Sequence, residues 1–301
     1  MIPLRDDNPT SRRAVVTLAI IALNVLAFLA WEPIFKSGQA GEVAQVTFFY
    51  CHAEVPFEVT HQDTLGDGGA EARQAIDEQQ PLGPAVSGED LQQYLREQCS
   101  GKSWWQSIFV AMFLHGGWLH IGGNMLFLWV FGNNVEDKIG RVKYFLFYIA
   151  AGLAAAAAQT AVGPDSVIPN LGASGAIAGV LGAYLVMFPR RRVLTLVIFF
   201  FITAVYLPAF VVLGLWFVLQ LFNGVGSLSP AVQSGGVAFW AHIGGFAFGA
   251  ILALLFFPKE RFGAIPPPRR PDVWGGRRTP WGPRRPPPEP DVWRGVSGPE
   301  P

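Results

Sequence analysis

Six long apolar runs, separated by polar segments, dominate the pattern along this chain of 301 residues. A helix that crosses a membrane needs about 20 mostly apolar residues, and most of these runs approach or exceed that length. The pattern therefore predicts an all-α, polytopic membrane protein whose membrane domain, residues 14–257, is a six-helix bundle. The predicted spans are 14–31, 118–132, 142–162, 173–189, 194–222 and 237–257.

Composition and charge support a membrane location. Hydrophobic residues make up 51% of the chain and charged residues only 15%, against about 25% charged residues in typical soluble domains. The net charge is zero, so it gives no reason to expect nucleic-acid binding. Basic residues concentrate on the side of the bundle that holds both termini, which the positive-inside tendency makes the cytoplasmic side. These basic segments are 1–13, 138–143, 190–192 and the tail. We expect a multi-pass protein of a bacterial-type plasma membrane with cytoplasmic termini, in contact with the lipid bilayer.

A large extracytoplasmic first loop, residues 32–117, is predicted on the opposite side. Its middle, 62–90, is rich in Gly, Gln, Asp and Glu, and we expect it to be mobile. Both cysteines of the chain, Cys51 and Cys99, lie in this loop. An oxidising exterior would allow a disulfide between them, although two separate thiols are the alternative. The tail, 258–301, is rich in Pro, Arg and Gly and is predicted to be disordered in the cytoplasm.

Ionisable and polar side chains are rare within the apolar runs, and four of them share one depth. Each lies 14 to 18 residues before the inner end of its own helix: Ser174, His242, His120 and Asn124. Sixteen helical residues rise about 24 Å, and the hydrocarbon core of a bilayer is about 30 Å thick. All four side chains could therefore occupy a single layer below the outer surface.

The chemistry of these four side chains suggests their roles. A serine hydroxyl is a weak nucleophile that needs an adjacent base, and His242 is the best candidate for that base. No carboxylate lies in the layer, so a Ser174–His242 dyad is more economical than a triad. His120 and Asn124 are four residues apart on one helix face, and both can donate hydrogen bonds to an oxyanion.

Glycines on the fourth and sixth spans would let the two helices approach closely. Gly245 and Gly249 follow His242 by three and seven residues, and so lie on its helix face. The remaining polar residues receive structural roles. His115, five residues before His120, is expected to face elsewhere in the outer loop, and Gln220 is interpreted as a helix-contact residue. Pro208 is expected to interrupt the hydrogen bonding of the fifth span.

Three segments resemble the motifs of the rhomboid family. They are FLHGGWLHIGGNMLFLWVFGNNVED at 113–137, GASGAIAGVLGAY at 172–184 and AHIGGFAFG at 241–249. The resemblance extends over about 103–257 and implies an intramembrane serine endopeptidase. Such an enzyme cleaves membrane-anchored protein substrates in or near their transmembrane helix. It needs no metal or cofactor, and it would use Ser174 as nucleophile, His242 as base, and His120 and Asn124 in the oxyanion hole.

The chain departs from that family pattern in two places, and one is the outer loop, where Gln106 and Ser107 replace the Trp-Arg pair of many members. The other lies in the helix of the serine. Many members carry a tyrosine four residues after the serine, against which the histidine stacks, whereas this chain has Ala178. His242 must therefore be oriented by another group. The main alternative function is a catalytically inactive, rhomboid-like scaffold that binds membrane clients. A zinc protease would call for a motif such as HExxH, which the sequence lacks.

Overall fold

The computed structural model describes residues 1–79, 86–198, 202–228 and 237–256. The tail at 258–301, predicted to be disordered, lies outside these residues. The described chain is mostly helical, with α1 Val15–Ala30, α2 Gly38–His52, α3 Pro56–His61, α4 Gly69–Gln79, α5 Gly88–Gln98, α6 Trp104–Ala111, α7 Trp118–Phe127, α8 Asn133–Ile139, α9 Arg141–Val162, α10 Ser174–Met187, α11 Ala209–Gly226 and α12 Phe239–Phe256. A π-helical turn, Leu128–Gly132, joins α7 to α8 without a break. Three strands complete the fold: β1 Ile2–Asp6, β2 Arg192–Ile198 and β3 Ile202–Pro208.

The helix α10 forms the centre of the bundle. Every residue from Gly175 to Tyr184 is buried, because α9 and α12 pack closely against its glycine and alanine positions. Of the described helices, α9, α11 and α12 are long and apolar enough to cross a membrane, and α1 and α10 are shorter apolar helices. The predicted count of six spans thus remains a prediction.

A three-stranded antiparallel sheet, ordered β1-β2-β3, corrects the all-α prediction. The predicted span 194–222 is wrong in its first part, since β2 and β3 pair from Arg192↔Pro208 to Ile198↔Ile202. Both strands are rich in β-branched residues, which favour extended chain. Pro208 is the last strand residue and precedes α11. There its missing N–H removes no helical hydrogen bond, so the expected weakening of the fifth span is also wrong.

The first loop is more ordered than its composition suggests. Its middle, 62–90, is predicted to be mobile, but it contains the whole of α4 and the first residues of α5. Residues 80–85 lie outside the described residues. These helices share a second hydrophobic core that includes Val55, Leu65 and Leu91. A disulfide joins Cys51 and Cys99, with 4.9 Å between their Cα atoms. The disulfide that the sequence left open is therefore present and closes this loop.

Candidate active site

Ser174 is the first residue of α10, and a turn at Gly172 leads the chain into it. Gly172 has a φ of +124°, which side-chain-bearing residues rarely adopt. Its N–H donates to the Ala111 carbonyl at 2.8 Å. An added Cβ at this glycine would lie 2.9 Å from His120 Nε2 and 3.5 Å from Ser174 Oγ. Glycine is thus required both for the turn and for the space in front of the serine.

Ser174 and His242 are hydrogen-bonded to each other. The distance from His242 Nε2 to Ser174 Oγ is 2.8 Å, which is well within hydrogen-bonding range. The bond spans two helices, α10 and α12, whose backbones meet at glycines. Added Cβ atoms at Gly245 and Gly249 would run into the carbonyls of Gly175 and Gly179. The close helix approach expected from the glycine spacing is therefore confirmed.

The second ring nitrogen of His242 contacts α11. Its Nδ1 lies 2.9 Å from Oε1 of Gln220, and the ring of Trp216 lies beside the imidazole with centroids 5.9 Å apart. Gln220 was interpreted from the sequence only as a helix-contact residue. The available signal was its spacing, since Gln220 follows Trp216 by four residues and so shares its helix face.

His120 and Asn124 lie one turn apart on α7, and His120 lies beside Gly172, next to the serine. The N–H of Gly116 donates to His120 Nδ1 at 3.2 Å, which leaves the proton of a neutral imidazole on Nε2, the nitrogen nearest Gly172. Asn124 is 9% exposed, and its buried Nδ2 has no hydrogen-bond partner among the described residues. A buried donor without a partner is costly. The Nδ2–H of Asn124 is therefore an unused donor among the described residues.

The prediction that His115 faces away from His120 is wrong. It is fully buried, and the two rings are 5.1 Å apart in an edge-to-face arrangement. The expectation assumed one continuous helix, but α7 begins only at Trp118. The N–H of His115 donates to Glu32 Oε1 at 3.0 Å, which ties this segment to the end of α1.

A small cavity of about 40 Å³ opens beside Ser174. Glycine and alanine residues of α9, α10 and α12 form part of its walls, and Glu54 and Asn170 also line it. Glu54 is buried and accepts a hydrogen bond from Thr160 Oγ1 at 2.9 Å. Burial raises the pKa of Glu54 to about 7.

The geometry suits nucleophilic attack on a carbonyl. The hydroxyl of Ser174 is hydrogen-bonded to a base, His242, and Nε2 of His120 lies beside the Gly172 turn that precedes the serine. The start of α10 adds backbone N–H groups that have no partner within the helix. Within the described residues, no group of three or more His, Cys, Asp or Glu could hold a metal ion.

The chain is similar to known proteins in the region that holds this site. A family model described as Rhomboid domain matches residues 101–259, which is more than half of the chain. Rhomboid protein 1, mitochondrial, of Saccharomyces cerevisiae is 31% identical over 153 residues, covering 48% of this chain and 40% of the relative. Rhomboid protease GluP of Bacillus subtilis is 40% identical over 82 residues, covering 27% of this chain and 15% of the relative. RHOMBOID-like protein 5 of Arabidopsis thaliana is 29% identical over 198 residues, covering 64% of this chain and 58% of the relative. The chain thus spans less than two thirds of the length of each of these relatives.

Proposed function

Because this chain belongs to the rhomboid family, we propose that it is an intramembrane serine endopeptidase. Its substrates would be membrane-anchored proteins, cleaved in or near their transmembrane helix. The observation that carries the proposal is the 2.8 Å hydrogen bond between Ser174 Oγ and His242 Nε2. A relative named as a rhomboid protease, GluP, supports the choice of reaction class.

In the proposed mechanism, Ser174 Oγ attacks the carbonyl carbon of the scissile peptide bond. His242 Nε2 accepts the hydroxyl proton as the bond forms, and then donates it to the leaving amine as the peptide C–N bond breaks. The result is an ester between Ser174 and the acyl half of the substrate. Water, deprotonated by His242, attacks that ester and releases the second product and the free hydroxyl.

The proposed oxyanion hole lies on the α7 side of Ser174. The Nε2–H of His120 and the unpartnered Nδ2–H of Asn124 would donate to the oxygen that becomes negative in the tetrahedral intermediate. Preorganised donors of this kind are most effective where water is excluded. The N-terminus of α10 favours the same negative charge through its free N–H groups and its dipole.

The protein is an integral membrane protein, as its family and its apolar helices indicate. We place the Ser174 end of α10 toward the outer face of a bacterial-type membrane and both termini on its cytoplasmic side. The basic segments lie at the end of the bundle opposite Ser174, which the positive-inside tendency makes cytoplasmic. The exposed Trp118 and Leu119, 62% and 94% exposed at the start of α7, suit contact with lipid at that outer boundary.

A catalytically inactive scaffold that binds membrane clients is the second candidate function. A serine-directed fluorophosphonate probe distinguishes the two, because it forms a covalent bond only with an activated hydroxyl. We expect the detergent-solubilised wild type to be labelled, and Ser174→Ala and His242→Ala not to be. A folded wild type that remains unlabelled, and that cleaves no membrane-anchored substrate, would favour the scaffold.

A further inference from the structure

The imidazole of His242 needs a partner besides the serine. Its Nε2 bonds Ser174, but α12 alone leaves the ring free to rotate about its side-chain bonds. The neighbouring helix α10 offers the ring no aromatic or hydrogen-bonding side chain at position 178, where the residue is a fully buried alanine within the hydrophobic core. The orienting group must therefore come from another element.

The helix α11 provides that group. Gln220 Oε1 lies 2.9 Å from His242 Nδ1, and Trp216, one turn earlier, flanks the same ring. Gln220 is partly buried, in a helix whose other polar side chain nearby, Asn223, is exposed. An amide oxygen only accepts hydrogen bonds. The nitrogen that faces it must therefore carry the imidazole proton.

We propose that Gln220 is the positioning residue of the dyad: its amide oxygen holds the His242 proton on Nδ1 and leaves the Nε2 lone pair directed at Ser174. This inference rests on the proposed proteolytic function. The neutral imidazole has one protonated and one unprotonated nitrogen, and the hydrogen bond of one decides the state of the other. Without the acceptor, the proton can reside on Nε2, and that tautomer cannot accept the serine proton.

Gln220 differs in one respect from the carboxylate of a triad. A neutral amide adds no full negative charge beside the ring, so it fixes the tautomer and the orientation without strongly stabilising the imidazolium. A glutamate at this position has a side chain of the same length and would keep an acceptor oxygen at the same distance from His242 Nδ1. It can therefore replace the glutamine in positioning, whereas an apolar side chain of the same length cannot.

The experiment compares Gln220→Met, Gln220→Leu and Gln220→Glu with wild type in the cleavage of a single-span substrate in proteoliposomes. We expect Met and Leu to lower kcat by at least about tenfold, the order of a lost hydrogen bond, with KM within about twofold of wild type. Glu should recover most of kcat. Asn223→Leu, which changes an exposed amide on the same helix, is the matched control and should resemble wild type.

The outcomes separate this inference from the proposed function. If Ser174→Ala abolishes cleavage while both apolar variants keep kcat within twofold of wild type, the positioning role is wrong and the dyad stands. The role is also wrong if Gln220→Glu loses as much kcat as Gln220→Met in protein with wild-type thermal stability, or if only KM changes. If Ser174→Ala cleaves like wild type, the proposed function itself fails.

Discussion

Replacing Gly179 with alanine tests whether helix contact distance controls the site. Gly179 lies on α10, five residues after Ser174, and faces α9 on one side and α12 on the other. An added Cβ would lie 2.5 Å from Ala151 Cβ and 3.2 Å from the Gly245 carbonyl oxygen. The new methyl is therefore compressed between the Ala151 methyl and the Gly245 carbonyl, and neither group can move away without its helix.

The required movement follows from these distances. Carbon atoms in favourable contact are about 3.5–4.0 Å apart, so α10 must shift from α9 by about 1 Å or more. On the other side, the 3.2 Å contact with the Gly245 carbonyl is already tight, so α12 must also give by a few tenths of an ångström. A comparable displacement would lengthen the 2.8 Å bond from Ser174 to His242 beyond hydrogen-bonding range. A misplacement of 1 Å can cost about 10²-fold in rate, and overpacking costs about 1–3 kcal/mol of stability.

The assay is cleavage of a single-span substrate, with thermal unfolding measured in parallel. We expect Gly179→Ala to lower kcat by about 10²-fold and the double variant Gly179→Ala/Ala151→Gly to recover most of it, because the second change removes the opposing methyl. Gly214→Ala on α11 is the control, since a Cβ there meets nothing within 4 Å. Wild-type turnover of folded Gly179→Ala, or failure of Ala151→Gly to restore a lost activity, would refute this reasoning.

Three further predictions concern the surroundings of the dyad. His120→Ala and Asn124→Ala should each lower kcat by about 10²–10³-fold in protein that still folds, and unchanged turnover in both variants would contradict the oxyanion hole. Burial raises the pKa of Glu54 from 4.5 to about 7, so between these values the folded state binds more protons than the unfolded state. Stability should therefore fall as pH rises through this window, by at most about 3 kcal/mol from this group. The unfolding temperature of Glu54→Gln should depend less steeply on pH than that of wild type. An identical dependence would refute the raised pKa of Glu54. EDTA should leave cleavage unchanged, because the proposed dyad uses no ion, whereas a loss that zinc alone restores would indicate a metalloprotease.

The helical framework around the site was largely predictable from the apolar runs. The bounds of α1, α9 and α12 lie within one or two residues of the predicted spans 14–31, 142–162 and 237–257 over the part of the chain that is described. The approach of α10 and α12 followed from Gly245 and Gly249, because only small residues allow backbones to touch. Depth counting also brought Ser174 and His242 to one level, and the structure has them hydrogen-bonded.

The paired strands β2 and β3 could not be found by hydropathy. An apolar run has the same average whether it forms a helix or two strands, and only its β-branched residues favoured strands. The order of the first loop was hidden for a related reason. Its polar composition conceals a spacing in which Leu91 and Leu95 share one face of α5 and are both buried. A disulfide then closes the loop around that core.

The contacts of individual side chains were the least predictable feature. His115 lies beside His120 because the helix begins after it, and a boundary error of a few residues reverses such an inference. Gln220 reaches His242 from a helix whose start was misplaced by about fifteen residues, counted from the predicted 194 to Ala209. Pairings across helices depend on axial rotation, which a single sequence does not fix.

The most direct test of the central claim is cleavage of a model single-span substrate in proteoliposomes by wild type, Ser174→Ala, His242→Ala and the double variant. Product formation is followed over time and the cleavage position is found by mass spectrometry. We predict cleavage by wild type within or beside the transmembrane helix, none by either single variant, and a double variant no worse than either, because the two side chains act as a unit. Cleavage by Ser174→Ala at the wild-type rate would contradict the account.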